Sequence, residues 1–317
     1  MCLHGIIIGG GIGGSCLAQG LRKAGVSVAV YEKGPRRLPP EVWDTLTTSA
    51  CAPDAGFQML TEQTEEIAFV ESQIMDGTSH VRIVRATLRE VLLAGLDDVV
   101  NFDKEFIRCE QTPQGKVIAF FADGTTAAVD VLVGADGTGS NVRKQHLPHA
   151  QIVDTGVVGA ACRLPINFDT ASHMPEHLRT QLTSVMPLRG TYMIVTQSIH
   201  RSGAEYVDPI GDHLIWVLIS SRTAYGDADP KTMDGESIGR LALQLTNDWH
   251  PVLRNLIADS DQQSISAVPV LTSIPIDLWE STNVALLGDA VHTMTPLQGL
   301  GGSSALRDAG PSSSGVH

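Results

Sequence analysis

A chain of 317 residues with 43% hydrophobic residues can build two domains around sizeable cores, and its formal charge of −13 argues against nucleic acid or an anionic membrane as partner. Its five cysteines form no C-x-x-C pair and its 11 histidines no H-E-x-x-H spacing, so neither a disulfide framework nor a metal centre is expected. No apolar run approaches the roughly 20 residues of a membrane span; the first strand begins almost at Met1, without a secretory leader, so the expected compartment is a reducing cytoplasm.

The chain opens on a nucleotide-binding pattern. Ile6, Ile7 and Ile8 form the short apolar run of a buried parallel strand, and Gly9, Gly11 and Gly14 follow as G-x-G-x-x-G where that strand must turn. Helical spacing runs from Ser15 to Ala24, with Leu17, Leu21 and Ala24 on one face, and Val26 to Val30 supplies a second strand. Gly9 suits the tight turn, Gly11 the close approach of a pyrophosphate, and Gly14 the close packing of helix on strand. Ile12 and Gly13 complete the turn, where free N–H groups and the helix dipole face the pyrophosphate. Glu32, followed by Lys33, lies about 20 residues beyond the glycines, where an acid accepts hydrogen bonds from an adenosine ribose. Its negative charge disfavours a 2′-phosphate, so FAD or NAD is expected there rather than NADP.

Gly34 to Pro40 reads as a loop, followed by a short helix around Glu41–Leu46. Val81 to Leu96 has Val84, Leu88, Val91 and Leu92 at helical spacing, with Arg85 and Arg89 on the neighbouring face; Arg89 reads as a solvated surface residue. Three strands are expected over Glu105–Glu110, Val117–Ala122 and Ala127–Val133, joined by turns at Pro113-Gln114-Gly115 and Asp123-Gly124. The third runs into Gly134-Ala135-Asp136-Gly137, a glycine-rich turn that opens a helix. From Gln151 to Glu280 short alternating runs, such as Tyr192–Ser198 and His213–Ser220, suggest a largely antiparallel sheet with one covering helix over Gly235–Asn247. Asn283 to Leu287 is a last buried strand before Gly288-Asp289, and a helix starts at Ser304.

Three glycine-bearing turns in this order, GGGIGG, GADGTGSNVR and LLGDAVHTMTPLQGLGG, resemble those of the FAD-dependent aromatic hydroxylases, flavoprotein monooxygenases of the para-hydroxybenzoate hydroxylase type. The resemblance implies an α/β fold: a Rossmann-like, doubly wound FAD-binding domain (1–50, 81–150 and 281–317) and an inserted, mostly antiparallel β substrate domain (51–80 and 151–280). It implies that Gly9, Gly11, Gly14 and Glu32 hold the ADP half of FAD and that Arg85 reaches its flavin side. Asp136 and Gly137 would serve FAD and the nicotinamide donor, and Gly288 and Asp289 the ribityl and pyrophosphate region. Pro296, Gly299, Gly301 and Gly302 would lie beside the isoalloxazine, with a helix N-terminus aimed at its N1–C2 edge. Asp289 taken alone reads equally as a helix N-cap, and His292 carries no assigned role.

The implied activity is reduction of FAD by NADH or NADPH, addition of O₂ at flavin C4a, and transfer of one oxygen to a hydrophobic small molecule, aromatic or polyketide-like as in secondary metabolism. The cofactor carries that chemistry, so no catalytic side chain is assigned. Two departures from the family stand out. The R-x-x-G-x-x-L segment expected after the ribose acid is missing where Arg36-Arg37 meets Leu38-Pro39-Pro40, and Ser303 stands where the family has asparagine, shortly before the chain stops. An internal segment and a C-terminal part are therefore expected to be lacking. The alternatives are a non-catalytic remnant, a related reductase, or a halogenase, for which no W-x-W-x-I-P-like motif is found.

Overall fold

The computed structural model describes residues 3–35, 56–71, 85–188, 190–199, 211–296 and 299–310. The short helix expected at 41–46 and the start of the one expected from Val81 lie outside the described residues. Two compact units divide the chain: Met1–Trp43, Arg85–Val153 and Leu271–His317 form the first, Asp44–Val84 and Asp154–Val270 the second.

The first unit is built on a parallel sheet. Strand β1 (His4–Ile8) pairs with β2 (Ser27–Tyr31) on one side and β9 (Val131–Gly134) on the other; β5 (Val100–Asn101) and β15 (Val284–Leu286) complete the order β15-β9-β1-β2-β5. Side chains of β1 alternate across the sheet. Ile7 packs with Ala18 of helix α1 (Ile12–Lys23) and with Leu96, which follows helix α2 (Arg85–Leu93). Ile6 and Ile8 pack with Phe106, Val117 and Phe121 of a three-stranded antiparallel sheet made by β6 (Phe106–Gln111), β7 (Val117–Phe121) and β8 (Thr126–Val129). Both faces of the strand are covered, which is why its apolar run is continuous.

The strand expected over 127–133 is two strands. β8 pairs antiparallel with β7 and β9 parallel with β1, and Asp130 marks the change of partner. Its carboxylate accepts from the His4 backbone N–H at 2.9 Å and from Lys116 Nζ at 2.7 Å, which pins the corner. The last strand is an edge strand in which Val284 is buried and Ala285 exposed. Helices α3 (Asn141–His146), α8 (Asp289–His292) and α9 (Gly301–Ala309) complete the unit; the last begins ahead of the expected Ser304.

The second unit is a seven-stranded sheet, ordered β14-β10-β13-β12-β11-β3-β4, made by β3 (Gly56–Leu60), β4 (Glu66–Glu71), β10 (Ile152–Pro165), β11 (Leu182–Val185), β12 (Tyr192–Ser198), β13 (His213–Ser221) and β14 (Ser266–Ser273). β10 with β13, β13 with β12, β12 with β11 and β3 with β4 pair antiparallel, and β3 with β11 parallel. Cys162, Trp216, Val195, Thr183 and Gln58 form one buried row across five strands. The neighbouring row, Ala161, Val217, Ile194, Ser184 and Met59, points to the opposite face and stays half-exposed.

The covering layer holds more than the single helix expected. Helices α4 (Phe168–His173), α5 (Glu176–Thr180), α6 (Gly235–Leu245) and α7 (Pro251–Ala258) belong to this unit, and Ile238, Ala242, Leu253 and Leu256 from the last two share a core with Trp216. Asp234 caps α6 by accepting from Ser237 N–H at 2.7 Å, and Pro251 opens α7 at the position where its missing N–H costs nothing. Residues 271–280 join the first unit, ahead of the boundary expected at 280: Ser273 N–H donates to Thr293 O at 2.8 Å and Ile274 N–H to Gln151 O at 3.0 Å. Among the described residues no helix is long and apolar enough to cross a membrane.

Candidate functional site

The β1–α1 turn is shaped by contacts at its glycines. Gly9 has φ +108°, and a Cβ there would overlap the Ala135 carbonyl; one on Gly14 would overlap the Gly9 carbonyl oxygen, and one on Gly13 the Leu287 side chain. A Cβ on Gly11 would meet nothing within 4 Å. Gly11 is also the N-cap of α1, and among the described residues no side chain caps that helix, so its first N–H groups can meet an anion.

Two cavities of about 270 Å³ each adjoin this turn and share Gly11, Arg85, Ala135 and Gly137 among their linings. The first is lined further by Ile12, Gly13, Gly288, Asp289, Pro296, Gly299, Gly301 and Gly302. Gly9, Glu32, Lys33 and Asp136 line the second. Gly14 lines neither, being spent on packing the helix against the strand.

Glu32 sits at the end of β2 with both carboxylate oxygens engaged. Oε2 accepts from Gly10 N–H at 2.6 Å and Oε1 from Gly34 N–H at 2.8 Å, which aims the group while leaving lone pairs for further donors. Arg89 is not the solvated residue expected: its Nε donates to Gly10 O at 2.9 Å and its Nη2 lies 3.8 Å from Glu32 Oε2. The Gly10 peptide is thus gripped from both sides, its N–H by an anion and its C=O by a cation. Arg85, one helical turn earlier, is exposed at the junction of the two cavities.

Asp136 is committed within its own loop. Oδ1 accepts from Ser140 Oγ at 2.5 Å and Oδ2 from Asn141 N–H at 2.8 Å, so the carboxylate holds the start of α3. Arg143, buried on that helix, donates to Thr138 O at 2.8 Å and Ala290 O at 3.0 Å. Burial lowers its pKa, and the nearby Asp136 charge opposes that shift.

Asp289 is the first residue of α8; the N-cap is Gly288, with φ +58°, and no side chain caps the helix. The Asp289 carboxylate faces the first cavity without a hydrogen-bond partner among the described residues. Its neighbour in the fold is the start of α9, Gly301 and Gly302, on the same cavity wall.

Sequence reasoning missed several wall residues. Tyr31, Lys104, Glu105, Phe106 and Asn141 line the second cavity, and Met294, Thr295 and Ala305 the first. Tyr31 also stacks on Phe121 with ring centroids 4.4 Å apart. Asn141, Met294 and Thr295 lie within the glycine-bearing motifs but are not among the positions those motifs single out, the others carry no motif, and only the meeting of β2, β6 and α3 brings the first group together. Among the described residues, no group of three or more His, Cys, Asp or Glu is arranged to hold a metal ion.

Comparison with known proteins adds an independent line. The model of the FAD binding domain matches residues 95–311, and that of the NAD(P)-binding Rossmann-like domain matches residues 7–37. The dual O-methyltransferase/FAD-dependent monooxygenase elcB of Phaeosphaeria nodorum is 31% identical over 96% of this chain, which spans 39% of that protein. A FAD-dependent urate hydroxylase of Mycolicibacterium vanbaalenii is 28% identical over 96% of this chain and 77% of its own length. Among solved structures, a Photorhabdus luminescens protein assigned as an FAD-containing monooxygenase superposes with a TM-score of 0.83 at 30% identity, covering 97% of this chain and 86% of that one.

Proposed function

The chain belongs to the FAD-binding monooxygenase family, and from that premise we propose that it binds FAD and uses O₂ to hydroxylate or epoxidise a hydrophobic small molecule, with electrons from NADH or NADPH. The observation that carries the reading is the junction of two cavities at Gly11, Arg85 and Gly137, with Glu32 in one and Asp289 in the other. A dinucleotide needs two such compartments and a cationic, donor-rich waist between them.

The residues present fit that cofactor. Glu32 receives the adenosine ribose, and the open space above Gly11 admits the pyrophosphate to the uncapped N-terminus of α1. Arg85 offsets the phosphate charge at the waist. Asp289 has free acceptor capacity for ribityl hydroxyls, and the α9 N-terminus favours negative charge at the ring edge beside it. Asp136 shapes the turn around Gly137 through its bonds to Ser140 and Asn141 and, lining the second cavity, keeps acceptor capacity for the cofactor. When bound, the flavin supplies the redox and oxygen-transfer chemistry, which side chains lack.

The second unit suits the organic substrate. Ala161, Val217, Ile194, Ser184 and Met59 present an uncharged, largely apolar strip on the sheet face that its helices leave open. An aromatic or polyketide-like molecule matches such a surface better than a charged one.

Purification followed by a visible spectrum, and identification of what denaturation releases, tests the cofactor. Stoichiometric FAD is the expected result, and failure to retain it even with excess FAD overturns the reading. Oxygen-18 incorporation into product, coupled to NADH or NADPH consumption, then separates a monooxygenase from a reductase.

A further inference from the structure

Helix α8 is only four residues long, too short to hold its shape unaided, yet it carries Asp289. Arg143 and Thr293 hold its carbonyls at Ala290 and Asp289, and further support comes from a residue to which the functional reading assigns no part. Asp308, in the last turn of α9, places one carboxylate oxygen, Oδ2, 2.8 Å from Gly288 N and 2.6 Å from His292 Nε2. Gly288 immediately precedes the short helix and His292 ends it, so a single oxygen gathers both of its ends.

Two details sharpen the arrangement. Gly288 has φ +58°, a conformation that its bond to Asp308 helps to hold, and a Cβ there would press on Ala305 of α9 at 3.2 Å. His292 Nε2 donates to the carboxylate, and its Nδ1 is buried without a partner among the described residues. The ring's hydrogen bonding is therefore spent on Asp308 alone, and the bond fixes the ring as well as the helix.

Helix α9 enters the same argument from its other end. Gly301 and Gly302 line the first cavity, seven and six positions before Asp308 on the same rigid element. The Asp308 bonds therefore set the spacing between the helix start and the Asp289 carboxylate, which lie side by side on that cavity's wall.

We propose that Asp308 and His292 are positioning residues that hold Asp289 against the flavin half of the cofactor. Neither touches the cofactor; each acts through the one-turn helix. The inference rests on the proposed flavin site and goes beyond it by naming what orients that site's acid.

The test measures FAD and ADP affinity of the full chain by titration. Asp308→Ala should raise the FAD dissociation constant at least about tenfold, the scale of losing charge-assisted hydrogen bonds. ADP, which needs only the compartment around Glu32, should bind within about twofold of the unaltered chain. Asp308→Asn, which keeps an oxygen for Gly288 N–H, should recover most of the FAD affinity. In an Asp289→Asn background the Asp308→Ala penalty should shrink to less than about threefold, because the two act on one contact. FAD affinity unchanged by Asp308→Ala, parallel loss of ADP, or full additivity with Asp289→Asn overturns the inference while leaving the flavin site standing. An unaltered chain that binds ADP but no FAD overturns the functional reading and this inference with it.

Discussion

Arg143 and Ala290 lie 147 positions apart in the chain, and a hydrogen bond of 3.0 Å joins the Nη1 of one to the carbonyl of the other. The arginine ends the middle glycine motif and the alanine follows Asp289 in the last one, so two walls of the candidate site are tied by one buried side chain. Its second bond, to Thr138 O at 2.8 Å, ties the same guanidinium to its own loop.

Arg143→Met should therefore cost about 2–4 kcal/mol of folding stability, because two inward-facing carbonyls lose their donor. Urea denaturation without added nucleotide measures this. Arg108→Met, which removes an exposed cation from over the Phe120 ring and its exposed ion pair with Glu110, should cost less than about 1 kcal/mol and serves as the control. Equal losses for the two would mean that the buried bonds add nothing.

The fingerprint glycines should separate into two classes. Gly14→Ala forces a methyl into the Gly9 carbonyl and should destabilise the fold by several kcal/mol, on the order of other overpacked sites. Gly11→Val should leave the melting temperature nearly unchanged while abolishing FAD retention, since its side chain enters open space that the proposed site gives to the pyrophosphate. Undiminished flavin content in Gly11→Val would remove the pyrophosphate from this turn.

Arg89→Met should weaken FAD binding by about 10- to 150-fold, the worth of one charge-assisted hydrogen bond, through the Gly10 carbonyl and the Glu32 carboxylate. The loss should appear equally in ADP affinity. Loss confined to FAD would show that the arginine acts on the flavin side instead.

Acid should loosen the protein in a defined window. Burial holds the His146 and His177 imidazoles below the usual histidine value of 6.5, with Glu66 opposing the shift at His177. The unfolded chain then binds protons more readily than the folded one, so stability falls as pH drops through that value. The urea midpoint should be lower at about pH 5.5 than at about pH 7.5, and His146→Gln should narrow the difference. Hydrogen bonds hold Asp123, Asp130 and Asp234 below their usual range, from Lys104, Lys116 and Ser237 respectively, and their contribution is lost only at lower pH.

Much of the first unit is legible in the chain because its opening elements are neighbours in sequence. Strand, glycine turn, helix and second strand follow one another within Met1–Tyr31, so periodicity and turn chemistry suffice to find them. Arg89 was not legible as more than a surface residue because its partner, Gly10, is 79 positions away and offers only a backbone oxygen. The split at Asp130 was hidden for a related reason: the run from 127 to 133 looks like one strand, and nothing local says that its two halves hydrogen-bond in different sheets. Tyr31 and Phe106 escaped notice as cavity walls because apolar residues in strands read first as core.

The order of strands in the parallel sheet carries a consequence for synthesis. β9 sits between β1 and β15, so its two neighbours come from opposite ends of the chain. On the ribosome, β1, α1 and β2 emerge first and β9 can join them, forming the compartment around Glu32. The wall that bears Asp289 cannot be laid down until the whole stretch Asp154–Val270 has been translated. A nascent chain therefore completes the compartment around Glu32 well before it can build the wall that bears Asp289, and the two halves of the proposed cofactor site mature at different times.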